Sequence, residues 1–230
     1  METLAEPASA TKGDLQLLVA GETLRLLPEK AIYWERCSTL LVADTHWGKA
    51  ASFRAASIPI PQGTTQADLE RLSQVIERTH ATRLIVLGDL LHSREGRSAA
   101  TFEKVTQWRR RHENLRIDLI QGNHDLQAGL PLADWKIVVA RPPVIELPFV
   151  WHHEPQPHAE GFVLAGHVHP SIVLKGLARQ TLRLPCFHLQ QNQLTLPAFS
   201  SFAGGYNIKP GRGDRIFPVA DTGVVEIPCQ

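Results

Sequence analysis

Seven of the eleven histidines lie in five short segments, four of which also carry aspartate, asparagine or glutamate. Imidazole, carboxylate and amide groups clustered in this way suggest metal binding or acid–base chemistry. Each segment alone is a common pattern and could belong to an ordinary turn or core. Their combination in one chain favours a shared site. The segments are Asp44-Thr45-His46, Gly88-Asp89-Leu90-Leu91-His92, Gly122-Asn123-His124-Asp125, His152-His153-Glu154 and Gly166-His167-Val168-His169.

The spacing within the first and last segments suits metal coordination. Side chains two residues apart point to one side of an extended strand, so Asp44 and His46, or His167 and His169, could reach one ion together. A second aspartate could bridge two ions. Oxygen and nitrogen donors without sulfur suit Mn²⁺, Fe or Zn²⁺, and among these we favour manganese. A structural zinc site is disfavoured because such sites usually take four Cys or His ligands.

The elements that must position these residues are buried strands. Each polar segment directly follows an apolar run, and the runs end at Ala43, Leu87, Ile120, Trp151 and Ala165. Proteins of the α/β class bind ligands at the carboxyl ends of their strands. We therefore expect the five ends to converge on one rim of the sheets.

Apolar residues at helical spacing predict a helix from about Thr65 to Thr79, begun by a capping box of Thr65 and Asp68, and another near Ser98 to His112. Apolar runs predict strands at 31–34, 83–87 and 116–120, and beyond residue 131 strand-like runs dominate, among them 144–150 and 162–165. This order predicts two mixed β-sheets packed face to face with helices outside, a four-layer αββα sandwich. Since no repeat, low-complexity tract or Gly/Ser-rich linker interrupts the chain, we expect one domain over residues 1–230.

Net charge, cysteine spacing and hydropathy exclude several classes of protein. The formal net charge of +1 excludes nucleic-acid binding through overall basic charge, although a local patch stays possible. Cys37, Cys186 and Cys229 form no CxxC pair, which argues against a disulfide framework or a thiolate zinc site. The first residues are acidic where a secretory signal would be basic, and no apolar run approaches the ~18 residues of a membrane span. These features predict a cytoplasmic protein without membrane contact.

The order of the five segments resembles the calcineurin-like metallophosphoesterase superfamily, whose pattern is DxH, GDxx(D/H), GNH(D/E), H and GHxH. The resemblance runs from Asp44 to His169 and implies an αββα sandwich with two divalent ions. In the fourth segment we choose His153 over His152, although alternation along the preceding strand permits either. The resemblance implies one ion held by Asp44, His46, Asp89 and His169, and the other held by Asp89, Asn123, His153 and His167.

The same resemblance indicates two catalytic residues. His124 matches the histidine that does not bind metal and that stabilises the transition state or protonates the leaving oxygen. His92 stands where the phosphatase branch carries an aspartate followed by arginine, so a carboxylate–histidine pair is not expected here. GDLLH instead resembles the nuclease branch, in which GDLFH is typical, and it favours phosphodiester substrates.

Longer stretches outside the metal motifs resemble the bacterial ligase-associated DNA damage response endonuclease family. They are LLVADTHWGKAASFRAASIPIPQGTT, LGDLLHSREG and FSSFAGGYNIKPGRGDRIFPV. This resemblance implies a metal-dependent DNA phosphodiesterase encoded with a DNA ligase and a helicase. As its partner we expect single-stranded or nicked DNA. Four cations that follow the first two motifs are candidate contacts to DNA phosphates: Lys49, Arg54, Arg94 and Arg97.

Two other functions stay open at this point. A hydrolase of nucleotides or phosphate monoesters would have a deep, narrow pocket instead of an open groove. A non-catalytic scaffold in a repair complex would keep the fold without hydrolysis, although the complete ligand set speaks against it. The sequence leaves the oligomeric state undetermined.

Overall fold

Two β-sheets form most of this computed structural model, which describes residues 13–60, 63–176 and 180–228. The first sheet has seven strands that are neighbours in chain order: β1 (Leu15–Val19), β2 (Glu22–Leu27), β3 (Ala31–Trp34), β4 (Thr39–Val42), β5 (Arg83–Leu87), β6 (Arg116–Ile120) and β7 (Ile137–Ala140). The first four are antiparallel to one another. The last four run parallel, because the connections between them return the chain to the end of the sheet at which the previous strand began.

The second sheet is mixed and comes from the rest of the chain. Its strands are β8 (Val144–Glu146), β9 (Phe149–Trp151), β10 (Phe162–Ala165), β11 (Pro170–Lys175), β12 (Thr181–Gln190), β13 (Gln193–Thr195), β14 (Tyr206–Asn207), β15 (Arg215–Ala220) and β16 (Gly223–Val224). Their order is β14-β11-β12-β13-β10-β9-β8, with β15 paired to β12 and β16 paired to β15. β9, β10 and β13 run parallel, so β9 and β10 end at the same edge.

The described residues form four α-helices: α1 (Lys49–Ala55), α2 (Thr64–Thr79), α3 (Ala99–Arg111) and α4 (Asn123–Ala128). The two long helices, α2 and α3, cover the outer face of the first sheet. Leu72 and Val75 of α2 share one buried cluster with Val105 and Trp108 of α3 and with Leu84 of β5. Apolar residues at helical spacing thus form the stripe that packs on the sheet.

The core between the sheets follows from the alternation of side chains along the strands. Leu41 and Ile85 of the first sheet pack against Trp151 and Leu164 of the second in one buried cluster. Val163, next to Leu164 in the chain, points to the opposite face and belongs to a separate small cluster. The clusters on that outer face of the second sheet consist of strand and loop residues.

The predicted α/β sandwich of two mixed sheets is confirmed. The strands expected at 31–34, 83–87, 116–120 and 162–165 have those ends, and the two predicted helices begin and end within one residue of prediction. The run predicted as one strand over 144–150 is instead two strands joined by a turn. The short helices α1 and α4 were not predicted, because six or seven residues show too little periodicity.

The capping box predicted for α2 is wrong. α2 begins after Gly63, and no side chain caps its amino end. Asp68 is buried, accepts hydrogen bonds from the backbone N–H of Ser201 at 3.1 and 3.2 Å, and pairs with Arg71 at 2.9 Å. This carboxylate therefore fastens the loop after β13 to the helix.

Other expectations concern thiols and membranes. Cys37 and Cys186 are free thiols, while Cys229 and the first twelve residues lie outside the described residues. Within the described ranges, no helix combines the length and the apolar character that a bilayer crossing requires.

Replacing Asp68 by alanine should lower the free energy of unfolding by about 2–3 kcal/mol, because the Ser201 N–H and the Arg71 guanidinium lose a buried acceptor. Urea denaturation measures the change. Glu70→Ala on the same helix is the control, since Glu70 and its partner Arg111 are both half exposed and such a pair contributes only ~0.2–1 kcal/mol. Equal losses in the two variants would contradict this account.

Candidate metal centre

Five loops meet at the rim where β4, β5, β6, β9 and β10 end. Backbone N–H groups of Asp44 and His46 donate to the carbonyl oxygens of Gly88 and Asp89, at 3.1 and 2.8 Å. These bonds join the loop after β4 to the loop after β5. In the second sheet, the N–H of Gly166 donates to the carbonyl of His153 at 3.0 Å. The structure thus brings the five polar segments together, as their positions after the strands predict.

Five of the seven predicted metal ligands have a left-handed backbone. Their φ angles are 55° at Asp44, 44° at His46, 54° at Asp89, 69° at His167 and 50° at His169. Residues other than glycine seldom adopt positive φ, and those that do are concentrated at functional sites. The predicted extended geometry of the two pairs is therefore wrong, because β4 and β10 end before them. Turns, not the pleat of a strand, bring each pair together.

Two motif glycines are required because other groups approach the backbone closely. A Cβ on Gly88 would lie 2.0 Å from Nδ1 of His153, and the φ of Gly88 is +84°. A Cβ on Gly166 would lie 2.6 Å from Oδ2 of Asp44. Any other residue would push apart loops that carry candidate ligands.

Asp44, His46 and His169 form the first cluster of candidate ligands. Nε2 of His46 lies 3.3 Å from Nε2 of His169, and the latter lies 3.4 Å from Oδ1 of Asp44. This carboxylate oxygen is fully buried and has no hydrogen-bond partner within the described ranges. A buried, unpartnered carboxylate oxygen that faces two imidazole nitrogens fits a divalent cation.

The second cluster contains Asp89, Asn123, His153 and His167. Oδ1 of Asn123 lies 2.9 Å from Nε2 of His153 and 3.1 Å from Nδ1 of His167. The two ring nitrogens are 3.1 Å apart, and Oδ2 of Asp89 lies 3.5 Å from Nε2 of His153. Two nitrogens and two oxygens therefore converge on one small volume. Each cluster could hold a metal ion.

Each aspartate has one oxygen held by another loop. The N–H of His167 donates to Oδ2 of Asp44, and the N–H of His124 donates to Oδ1 of Asp89, both at 2.9 Å. The other oxygen of each remains directed toward the clusters. Burial raises the pKa of the Asp89 carboxyl; His153 opposes this rise and the nearby Asp44 adds to it. Divalent cations would relieve the repulsion between these two buried carboxylates, so the residues fit the predicted metal site.

Backbone carbonyls orient two of the candidate ligand histidines. Nδ1–H of His153 donates to the carbonyl of Leu87, and Nδ1–H of His169 donates to the carbonyl of Gly204, each at 3.0 Å. A carbonyl can only accept, so in the neutral form of each ring Nε2 carries no proton and can face its cluster as a donor of a lone pair. Metal-binding histidines are commonly held in this way by a carbonyl or a carboxylate behind the ring.

The neighbouring His152 points away from the clusters. Its Nδ1 accepts from the N–H of Glu154 at 3.1 Å, and its Nε2 lies 2.8 Å from the side-chain nitrogen of Gln156. Both ring nitrogens are therefore used within its own loop. The structure therefore brings His153, and not His152, to the second cluster.

The two predicted catalytic histidines stack on each other beside the clusters. Their ring centroids are 4.8 Å apart with an interplanar angle of 23°. Nδ1–H of His124 donates to the carbonyl of His92 at 2.8 Å, which directs Nε2 toward Oδ2 of Asp89, 4.0 Å away. Burial, followed by the charges of Lys49 and His124, lowers the pKa of His92 to about 4. His46, His92 and His124 form a third group with ligand atoms close together, which shares His46 with the first.

The four cations predicted to contact DNA have different surroundings. Lys49, the first residue of α1, is half buried beside the first cluster; burial lowers the pKa of its amine, whereas the charges of Asp44 and Asp89 raise it. Arg54 is exposed in the last turn of α1. Arg94 and Arg97 donate to backbone carbonyls at and after the end of α4, at 2.8 to 3.1 Å. Among the four, Lys49 thus lies nearest to the candidate ligands.

Sequence reasoning assigned no role to Asp125, the last residue of the GNHD segment. Its buried carboxylate accepts from three backbone N–H groups, those of Asp89 at 2.8 Å, Gly122 at 2.9 Å and Leu91 at 3.2 Å. Burial raises the pKa of Asp125 to about 6, against these hydrogen bonds. The available signal was an acidic residue three positions after Gly122, in the first turn of α4. Asp125 fixes the relative position of two ligand loops.

Asp125→Asn should weaken manganese binding about 10- to 100-fold, because an amide group cannot accept from all three N–H groups and the two ligand loops lose their common anchor. Isothermal titration with Mn²⁺ measures the affinity. Asp134→Asn, at an exposed position in the loop before β7, is the matched control and should bind as the parent does. An unchanged affinity in Asp125→Asn would refute the anchoring role.

Comparisons with known proteins add to this geometry. No protein-family model and no curated protein matches the chain. Among solved structures, the Pseudomonas putida nuclease MPE is 43% identical in sequence, has a TM-score of 0.82, and covers 92% of this chain and 100% of its own. YfcE, a phosphoesterase from E. coli, is 14% identical with a TM-score of 0.42, over 84% of this chain and 99% of its own.

The identity to the Pseudomonas putida nuclease extends over nearly the whole of both chains. The motifs of the superfamily occur in order and meet at one rim, where two clusters could each hold a metal ion. The chain therefore belongs to the ligase-associated endonuclease family of the calcineurin-like metallophosphoesterases and is a metal-dependent phosphoester hydrolase.

Proposed function

We propose that this protein is a two-metal-dependent endonuclease that hydrolyses phosphodiester bonds in single-stranded or nicked DNA. The observation that carries the proposal is a separate cleft beside each cluster. Asn123 and His153 of the second cluster line a cleft of about 490 Å³, and His169 of the first lines another of about 220 Å³. The two share no lining residue. A DNA strand extends to both sides of the phosphate that is cleaved, so it can occupy both clefts. A mononucleotide needs only one cleft.

The proposed ligand sets are those implied by the motifs, with Asp89 shared between them. When bound, two divalent ions lower the pKa of water and polarise the phosphoryl oxygens. The contribution of the chain is to hold oxygen and nitrogen donors in place before the substrate arrives. We favour Mn²⁺ because the donors lack sulfur, and Fe or Zn²⁺ would suit the same set. The resemblance implies Asp44, His46, Asp89 and His169 for one ion and Asp89, Asn123, His153 and His167 for the other; in the structure Asp89 groups with the second set.

In this proposal His124 acts on the leaving group. Because Nδ1–H is donated to the His92 carbonyl, Nε2 is the atom available to the substrate. When protonated, Nε2 can donate to the leaving oxygen or stabilise negative charge on the phosphoryl group. His92 orients this ring through its carbonyl and its stacked imidazole, where the phosphatase branch uses a carboxylate.

The biological setting follows from the family resemblance. It supports a cytoplasmic role in bacterial DNA repair, together with a DNA ligase and a helicase. Lys49 is the cation best placed to contact the phosphate that is cleaved, since its charge acts on both Asp44 and Asp89. Arg54, Arg94 and Arg97 would contact the strand farther from the metal site.

Incubation with Mn²⁺ should yield internal fragments from single-stranded DNA, and chelation or Asp89→Asn should abolish them, because Asp89 supplies donors to both proposed ions. Gel analysis of end-labelled oligonucleotides, compared with nicked duplex, RNA and mononucleotides, measures this. Turnover of mononucleotides well above that of DNA would favour a small-substrate phosphohydrolase. Absence of any hydrolysis in protein with both ions bound would favour a scaffold.

His124→Ala should reduce kcat about 10²- to 10⁴-fold, the range expected for losing a general acid, while both ions still bind. Steady-state kinetics with parallel metal analysis separates the two properties. His80→Asn is the control, since His80 is exposed at the end of α2 and asparagine tolerates its left-handed backbone. Loss of metal in His124→Ala would make it a ligand instead.

A further inference from the structure

The cavity beside the first cluster has a surface unlike that of the cleft beside the second. Lys30, Ser171 and Arg183 line it together with His169, and no acidic side chain does so in the part of the chain that the structure describes. In the cleft on the other side, the cation Arg141 is offset by Glu154, and Leu126 and Pro142 add apolar side chains. An anion therefore fits the His169 side better than the Asn123 side.

Two polar groups in this cavity have hydrogen-bonding capacity that the protein does not use. Ser171 is 2% exposed, and its hydroxyl makes no hydrogen bond within the described ranges. Nζ of Lys30 donates to the carbonyl of Ser200 at 3.1 Å, and an ammonium has three donors. Burial and, to a smaller extent, the charge of Arg71 lower the pKa of Lys30 to about 8, and the charge of Asp68 opposes the change. A bound anion would accept from both groups and favour the charged amine.

The surrounding charges also favour an anion. Arg71 lies close enough to Lys30 to repel it, and the nearby Asp68 already accepts from Arg71 and from the Ser201 backbone. Arg183 is exposed on β12 at the mouth of the cavity. Positive charge therefore exceeds negative charge around a volume of about 220 Å³ whose wall includes a candidate metal ligand.

We infer that this cavity binds a phosphate group of the substrate strand next to the one that is cleaved, through Lys30, Ser171 and Arg183. The inference rests on the proposed function, because a second phosphate is present only in a polynucleotide or a similar substrate. His169 forms one wall, so the cavity adjoins the first cluster of candidate ligands. The strand is thereby oriented, with the neighbouring phosphate on the His169 side and a nucleoside toward the apolar cleft at Leu126 and Pro142.

The experiment compares two substrates with the Mn²⁺-loaded protein. One is a single-stranded oligodeoxynucleotide, and the other is bis(4-nitrophenyl) phosphate, which has a single phosphate. Arg183→Gln, at an exposed position, and Lys30→Met should each raise KM for the oligonucleotide about tenfold, as expected for one lost charged contact. The slope of log KM against log salt should fall by ~0.7 for each cation removed from a single-strand contact. The single-phosphate ester should not show the tenfold loss.

Arg110→Gln serves as the control, because Arg110 is exposed near the end of α3. This helix end leads into the start of β6, whereas the candidate ligands follow the ends of the strands. It should leave KM for the oligonucleotide and its salt slope as in the parent. If the parent cleaves both substrates but Arg183→Gln and Lys30→Met keep the parent KM and slope, the phosphate subsite is overturned and the nuclease function stands. Equal losses on both substrates also overturn it, because they indicate a structural effect. A parent that leaves the oligonucleotide intact overturns the proposed function, and the subsite with it.

Discussion

The rim depends on one electrostatic requirement, which is that two neighbouring buried carboxylates must be compensated. Asp44 and Asp89 are at most 2% exposed, and each has one oxygen held by the backbone N–H of a different ligand loop. Removing a charge from water costs several kcal/mol unless an opposite charge and hydrogen bonds compensate. In the described part of the chain, the ion-pair contacts of these aspartates are histidines, which are charged only when protonated. Bound divalent cations would therefore supply the positive charge that these two carboxylates require.

The sandwich makes this arrangement possible by holding strained loops in place. A left-handed backbone at a residue other than glycine costs about 1–2 kcal/mol, and five candidate ligands share that conformation. Such strain persists only where the surroundings over-determine it. Here the surroundings are the buried strands that end at the rim, the glycines that let His153 and Asp44 approach, and Asp125, which ties two loops together.

Hydrolysis needs two contributions: groups that lower the reaction barrier and charges that bind the anionic substrate. Phosphate ester hydrolysis can require roughly 20 kcal/mol of barrier lowering, whereas a lone general base or acid supplies about 3–5 kcal/mol. His124 alone is therefore insufficient, and bound ions must supply most of the remainder. Although the whole chain carries a formal charge of only +1, its cations are placed unevenly, with Lys49 and Lys30 beside the clusters. Local charge, not net charge, fits this protein to an anionic substrate.

Sequence alone determined the strands at 83–87 and 116–120, the helix α2, and the five polar segments, because apolar runs and helical spacing depend on residues close together in the chain. Contacts between distant segments were decided only by the tertiary structure. His152 and His153 follow the same strand, and the choice between them depends on the Leu87 carbonyl behind one ring. Asp68 matched a local capping pattern but binds Ser201, 133 positions away. Such pairings exist only after two sheets have packed, so no local pattern in the chain encodes them.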